Sequence, residues 1–415
     1  MLAWISVLVA VAAVFGWVSA KVLRLPNTIG TMLLTAATSM ALVFFDPILP
    51  GPHLAVMRMM VRVDFARLFL HGMLGVLLFA GSFLLDLKGL RQQRLPVALL
   101  SVVSTVISVL LVGAGTYGAA RMFGFRSTWL ECLLFGALIS PTDPIAVLEM
   151  LHRVRAPKHL EAQLAGESLF NDGVGAVIFI ALLGAVTSGM SPRPMMVAAR
   201  IVLTGGGGML LGAGLAVPVA LLMRSVKNTA VDLLLSVALA LGGYAIADRV
   251  GLSGPLASVV SALVLRWLVE RIPGEEVAHA ELNHMWTTVD EILNALLFVL
   301  LGAEFLMIAF QPRAVGLGLS EVVVVNAVRV ASVALALGIA RCLRCAEPTS
   351  LTVLSWGGLR GGLSIALALS IPAAYGGGWI VTSTYVLVAF SILVQGGTMG
   401  MVLQRVAGGK RVVGS

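Results

Sequence analysis

The chain has 415 residues, 59% of them hydrophobic and only 12% charged, and its mean hydropathy is +1.00. A water-soluble fold cannot hide that much apolar surface, and the apolar runs are continuous rather than alternating, which argues against a β-barrel. The net charge of +8 comes from basic residues scattered at helix ends, so it sets topology and points to no nucleic-acid partner.

Hydropathy predicts an all-α polytopic membrane protein of about thirteen spans: 1–20, 27–45, 64–86, 96–120, 128–150, 160–187, 194–223, 230–249, 253–270, 286–310, 315–341, 349–372 and 378–405. Residues 1–20 lack a basic leader and read as a first span, although Ser19 and Ala20 are small enough for a cleavage site. Thirteen divides as six, one and six. The expected organisation is a first inverted repeat (1–187), a linker helix (194–223), a second inverted repeat (230–405) and a short cytoplasmic tail (406–415). The 45 glycines suit close helix packing.

Counting Lys and Arg in the connections gives orientation. With the N-terminus outside, 17 fall on the inner side and nine on the outer, while Arg329 and Arg360 lie within spans. The positive-inside bias therefore favours N-out, C-in in a cell (inner) membrane.

Two spans cannot be continuous helices. Span five contains Ser140-Pro141-Thr142-Asp143-Pro144, whose prolines remove two backbone donors. Span twelve contains Trp356-Gly357-Gly358-Leu359-Arg360-Gly361-Gly362, four glycines around one arginine. Each is the fifth span of its half, and paired interruptions at equivalent positions mark the transport site of inverted-repeat carriers.

Span six carries Gly166-Glu167-Ser168-Leu169-Phe170-Asn171-Asp172-Gly173, two carboxylates in a membrane-grade apolar stretch. At 100° per residue Glu167, Asn171, Ser168 and Asp172 fall at about 0°, 40°, 100° and 140°, one polar wedge whose outer members face different neighbours. Arg360 is the expected partner of Glu167, because an unpaired guanidinium is as costly in hydrocarbon as a carboxylate. Asp143 is expected to compensate half-helix dipoles, with ion binding as its second reading. Asp172 is then left to hold a proton or a small cation.

Other features read as structural. Cys342-Leu-Arg-Cys345 has no second pair to form a zinc site, and Cys132 leaves an odd count. His71 reads as packed or pore-facing. Glu275, Glu276, His279, Glu281 and His284 read as a solvated loop between spans nine and ten, with cation attraction or pH sensing as the second reading, Arg329 as a structural ion-pair member, and Gly205 to Gly208 as close packing or flexibility of the linker helix.

Taken together, four segments resemble the monovalent cation/proton antiporter-1 family, specifically its bacterial sodium/proton antiporters: Ile139-Ser-Pro-Thr-Asp-Pro-Ile-Ala-Val147, Gly166-Glu-Ser-Leu-Phe-Asn-Asp-Gly-Val-Gly175, Ser253-Gly-Pro-Leu-Ala257 and Trp356-Gly-Gly-Leu-Arg-Gly-Gly362. Asn294-Ala-Leu-Leu-Phe-Val-Leu-Leu-Gly302 adds a fifth, and the order covers essentially the whole chain. The resemblance implies a homodimer with a moving six-helix core and Asp172 as shared carrier of Na+ (or Li+ or K+) and H+. It implies site oxygens from Ser168 and Thr142, a Glu167–Arg360 pair, and electroneutral one-for-one exchange because Asn171 stands where a second acid could. Several relatives carry an acid on span three. Phe79-Ala80-Gly81-Ser82 has none here, leaving water or Ser82 to fill that place.

No cofactor or enzyme chemistry is indicated. A membrane metal hydrolase would need a ligand motif such as H-E-x-x-H, which is missing. A cation channel would need a filter-like repeat, and none occurs. Potassium/proton exchange by the same mechanism is the nearer rival.

Overall fold

A computed structural model of the chain describes residues 2–23, 27–45, 65–153, 157–188, 194–226, 228–271, 276–304, 311–343 and 351–411. Glu275 and Cys345, like Arg24, Arg58, Arg62, Arg155, Arg193, Lys227 and Arg344 among the counted basic residues, lie outside that set.

Among the described residues nine helices are long and apolar enough to cross a bilayer. They are span one (Ser6–Leu23), three (Ala66–Leu84), four (Arg94–Met122), six (Lys158–Thr187), seven (Met195–Ser225), eight (Thr229–Arg249), ten (His279–Glu304), eleven (Pro312–Cys342) and thirteen (Gly377–Val406). Span two (Asn27–Phe45), span nine (Gly254–Val269) and the interrupted spans five and twelve complete the thirteen. Exposed apolar side chains such as Trp17, Phe44, Leu210, Leu234 and Val323 face outward, as lipid contact requires.

Local sequence explains where the helices start. Thr128 and Glu131 form a reciprocal capping box before span five, with the Glu131 carboxylate accepting the Thr128 N–H at 2.8 Å. Asn228 caps span eight, and the Ser253 hydroxyl accepts the Leu256 N–H at 3.2 Å to start span nine, with Pro255 in its first turn. Asp86 caps a short helix, Leu87–Gln92, on the connection after span three.

Span ten differs from expectation. Its helix begins at Glu276, so His279, Glu281 and His284 are helical residues rather than a loop; their polarity had hidden turns continuous with the apolar run. Span thirteen likewise continues as helix to Arg411. His71 is exposed, within a π turn (Phe69–Met73) of span three, and is neither packed nor turned to the cavity described below.

Two apolar cores organise the bundle. One gathers Phe135, Leu138 and Ile139 with Phe179, Leu354, Ile365 and Tyr385 around the interrupted spans. The other joins span three to spans seven through ten, with Phe79 and Trp286 ring centroids 4.7 Å apart. Spans seven and nine touch through glycine. A Cβ on Gly208 would lie 2.5 Å from the Ser253 carbonyl oxygen, and one on Gly212 only 2.2 Å from that of Ala257.

Because the obstructing atom at Gly212 is backbone, Gly212→Ala should force the helices apart and destabilise the protein by about 1–3 kcal/mol. Thermal unfolding in detergent checks this, with Gly214→Ala, which meets nothing within 4 Å, as the neutral comparison.

Candidate functional site

The first half of span five ends at Ile139, and the chain resumes as Ile145–Arg153. Span twelve is split into Leu351–Trp356 and Gly362–Leu369. The two breaks cross, and the Asp143 N–H donates to the Leu359 carbonyl at 2.8 Å in an antiparallel bridge. The segments therefore pass in opposite chain directions, as inverted halves require.

This crossing brings four half-helix ends together, and each faces charge of the appropriate sign. At the carbonyl end of the first half of span five, Arg360 Nη1 donates to the Ser140 and Pro141 carbonyls at 2.6 and 2.9 Å. At the matching end of span twelve, Arg329 Nη2 donates to the Leu354 carbonyl at 3.0 Å. Asp143 serves the amide ends. Its Oδ1 accepts the Ile145 N–H at 3.0 Å, and its Oδ2 sits where a Cβ on Gly361 would come within 2.3 Å, at the start of Gly362–Leu369. Gly361 is thus the vacancy that admits the carboxylate. Gly358 does the same for the Arg329 guanidinium, and Gly175 for the Pro141 ring.

The expected Glu167–Arg360 pair is not formed. Glu167 pairs with Arg329 of span eleven, both side chains being almost fully buried. The physical reason is that Arg360 spends its donors on the carbonyls left open by the break in span five. Its backbone N–H donates to the Ser391 hydroxyl at 2.8 Å, in a π turn (Ser391–Gly396) of span thirteen. Arg360 remains within electrostatic reach of Glu167 and Asp172.

Thr142 is held by span six from two sides. Asn171 donates through Nδ2 to the Thr142 hydroxyl at 2.8 Å and accepts the Thr142 N–H on Oδ1 at 3.3 Å. One turn earlier, the Ser168 hydroxyl donates to the Thr142 carbonyl. An asparagine meets this demand because it both donates and accepts; an aspartate could only accept.

Asp172, next along the wedge, makes no hydrogen bond or ion pair among the described residues. It borders a cavity of about 1120 Å³ that it shares with Thr142, Asp143, Ser168, Gly361 and Gly362. The same cavity reaches the exposed helix-end residues Asp86 and Lys158, so the buried site connects to the protein surface. Its acidic lining residues are Asp86, Asp143, Glu161, Asp172, Asp290 and Glu291, against Lys158 as the one basic residue among those described. Such a lining concentrates cations.

Ser82 does not fill the place lacking an acid on span three. It is fully buried, its hydroxyl donates to the Leu78 carbonyl at 2.5 Å, and the cavity is bordered there by Gly81 instead. Sequence reasoning missed Asp290 of span ten, although a charged residue inside an apolar run is a general signal, and it quoted Asn294 only as the start of a family-like segment without giving it a role. It also missed the buried Glu321 of span eleven, which accepts from the Thr116 hydroxyl at 3.0 Å.

A crossed pair of broken helices around a cavity-facing carboxylate defines an ion-coupled secondary carrier. Residues 9–405 match the model of the family described as "Sodium/hydrogen exchanger, transmembrane", and the chain belongs to that family. It is 35% identical to the Na(+)/H(+) antiporter NhaP of Pseudomonas aeruginosa over 99% of this chain and 98% of that protein. It is 31% identical to the Na(+)/H(+) antiporter NhaH of Halobacillus aidingensis, over 80% and 81% of the two chains. Its fold is similar to the structure at pH 8 of the sodium proton antiporter MjNhaP1 from Methanocaldococcus jannaschii, with a TM-score of 0.73, 19% identity and 97% of each chain covered. The architecture is accordingly an all-α membrane fold of two inverted six-helix repeats with interrupted spans five and twelve.

The ion-pair geometry is testable by double-mutant cycles. Glu167→Gln should destabilise the protein by about 3–5 kcal/mol, because it leaves the Arg329 charge buried and uncompensated. Adding Arg329→Gln should recover part of that loss. Adding Arg360→Gln should recover less, since Arg360 bonds to carbonyls.

Proposed function

We propose that this protein is a sodium/proton antiporter that works by alternating access, with Asp172 as the shared carrier of Na+ and H+. The observation that carries the reading is Asp172 itself, a carboxylate at the crossing of two broken helices, facing a cavity and paired with nothing among the described residues. An empty ionised carboxylate is expensive to move through a low-dielectric region. The core therefore crosses only when Asp172 is neutralised by a proton or a cation, and that requirement couples the two fluxes.

Sodium entering the cavity displaces the proton from Asp172. Ser168 and the Thr142 oxygens supply neutral ligands, pre-aligned by Asn171. Asp143 and Arg360 set the local field: the acid favours a bound cation, and the guanidinium limits how tightly it is held. After the core moves, a proton displaces sodium on the other face. With Asn171 neutral, one cation exchanges for one proton and no net charge crosses. The family membership and the sodium/proton antiporters among the relatives support sodium as the cation; potassium or lithium in its place leaves the mechanism unchanged.

The charge bias of the connections puts the N-terminus outside and the C-terminus inside. On that orientation the cavity mouth at Asp86 and Lys158 opens to the cytoplasm. The organisation that accompanies this reading is a first repeat over 1–187, a linker helix over 194–223, a second repeat over 230–405 and a tail over 406–415, in a homodimer in which one bundle forms the interface and the six-helix core moves against it.

In proteoliposomes Asp172→Asn should abolish sodium-driven proton flux, and sustained flux in that variant would overturn the carrier assignment. An imposed membrane potential should leave the wild-type exchange rate unchanged. A clear dependence on potential would require a second transported charge, with Asp143 the first suspect. Running the same flux assay with Na+, Li+ and K+ at clamped pH ranks the cations.

A further inference from the structure

Span ten presents one polar stripe to the cavity. Thr287, Asp290, Glu291 and Asn294 recur at intervals of three and four residues, which places them on one helix face, and all four border the cavity. Thr287 satisfies its hydroxyl on the Asn283 carbonyl at 2.8 Å, and Glu291 is exposed. Asp290 and Asn294 remain, one turn apart.

Asn294 is 3% exposed, and its Oδ1 has no hydrogen-bond partner among the described residues. A buried carbonyl oxygen left without a donor carries a desolvation penalty, and a bound cation relieves it. Its amide group is directed to Asp290, which interacts electrostatically with Asp143 and Glu291. Asp143 in turn interacts with Asp172. These acids are not gathered into one site, because no group of three His, Cys, Asp or Glu among the described residues is close enough to hold a metal ion. They border one cavity as neighbouring pairs, Asp290 beside Asp143 and Asp143 beside Asp172.

We infer that Asp290 and Asn294 form a second monovalent-cation position, a staging site between the exposed cavity mouth and Asp172. A carboxylate and a neutral carbonyl oxygen are hard ligands suited to an alkali cation. A cation held there by a single negative charge sheds part of its water before reaching Ser168, Thr142 and Asp172. Among the described residues of the helix Ala66–Leu84 no carboxylate competes, since Gly81 borders the cavity and Ser82 is turned away; Asp86 follows that helix at the exposed mouth. This inference rests on the antiport reading and extends it by a binding step that precedes the carrier.

The test is sodium-dependent proton flux in proteoliposomes at fixed pH, with the wild type and Asp172→Asn run in parallel. Asp290→Asn should raise the apparent KM for Na+ about tenfold, with the loss carried by KM rather than by Vmax. Asp290→Glu should restore most of the affinity, and Asn294→Ala should raise KM by about threefold. Asn294→Ala also serves as the second probe where Asp290→Asn does not fold. A fall in Vmax with unchanged KM in Asp290→Asn or Asn294→Ala would reduce these residues to helix packing and overturn the inference. So would a wild-type KM that rises to the variant value when ionic strength is increased with choline chloride, because that marks diffuse attraction rather than a bound position. Failure of the antiport reading itself is separable, since the wild type would then show no coupled flux.

Discussion

Non-helical backbone at the centre of a membrane persists only where each freed peptide group and each half-helix end finds a partner inside the protein. In this protein that constraint is met by one crossing. The Asp143–Leu359 bridge joins two breaks, Arg360 and Arg329 close the carbonyl ends, and Asp143 closes the amide ends. Most of the unusual residues nearby follow from this arrangement. The prolines of span five create open carbonyls, the arginine of span twelve answers them, and the glycines at 358, 361 and 175 make room for side chains and a ring that arrive from other spans.

The division of charge has a functional result. Both arginines are committed to carbonyls, and one also takes up Glu167. Asp143 gives Oδ1 to the Ile145 amide and also borders the cavity. Asp172 borders the same cavity with neither oxygen hydrogen-bonded among the described residues. The Glu167–Arg329 pair is then a brace that ties span six to span eleven, while the Asn171–Thr142 and Ser168–Thr142 bonds tie span six to span five.

The sequence made the fold class readable because hydropathy over whole spans integrates many residues, and the two interruptions were readable because proline and glycine act on their own backbone. Both are local signals. The partner of Glu167 was not readable: two intramembrane arginines were available, and only the geometry of the break shows that Arg360 is occupied by Ser140 and Pro141. Asp290 was passed over for a related reason. Span ten begins with polar turns whose helical continuity is invisible to a hydropathy window, and Asp290 lies only a turn inside the hydropathy-predicted start at 286. The Gly361–Asp143 contact is likewise tertiary; nothing about a glycine announces which neighbour occupies its missing side chain.

The reciprocal bonds between Asn171 and Thr142 bear on the timing of transport. On the proposed reading, in which the Thr142 oxygens are ion ligands, these bonds hold them in place before any ion arrives, so loading needs little reorganisation of the backbone and ions equilibrate with the cavity many times during the life of one facing state. Turnover is then governed by the slower displacement of one helical body against the other. Its temperature dependence reports how those bodies pack and how the surrounding lipid yields, not how the ion is held. Changes in bilayer thickness would alter speed while leaving ion preference in place.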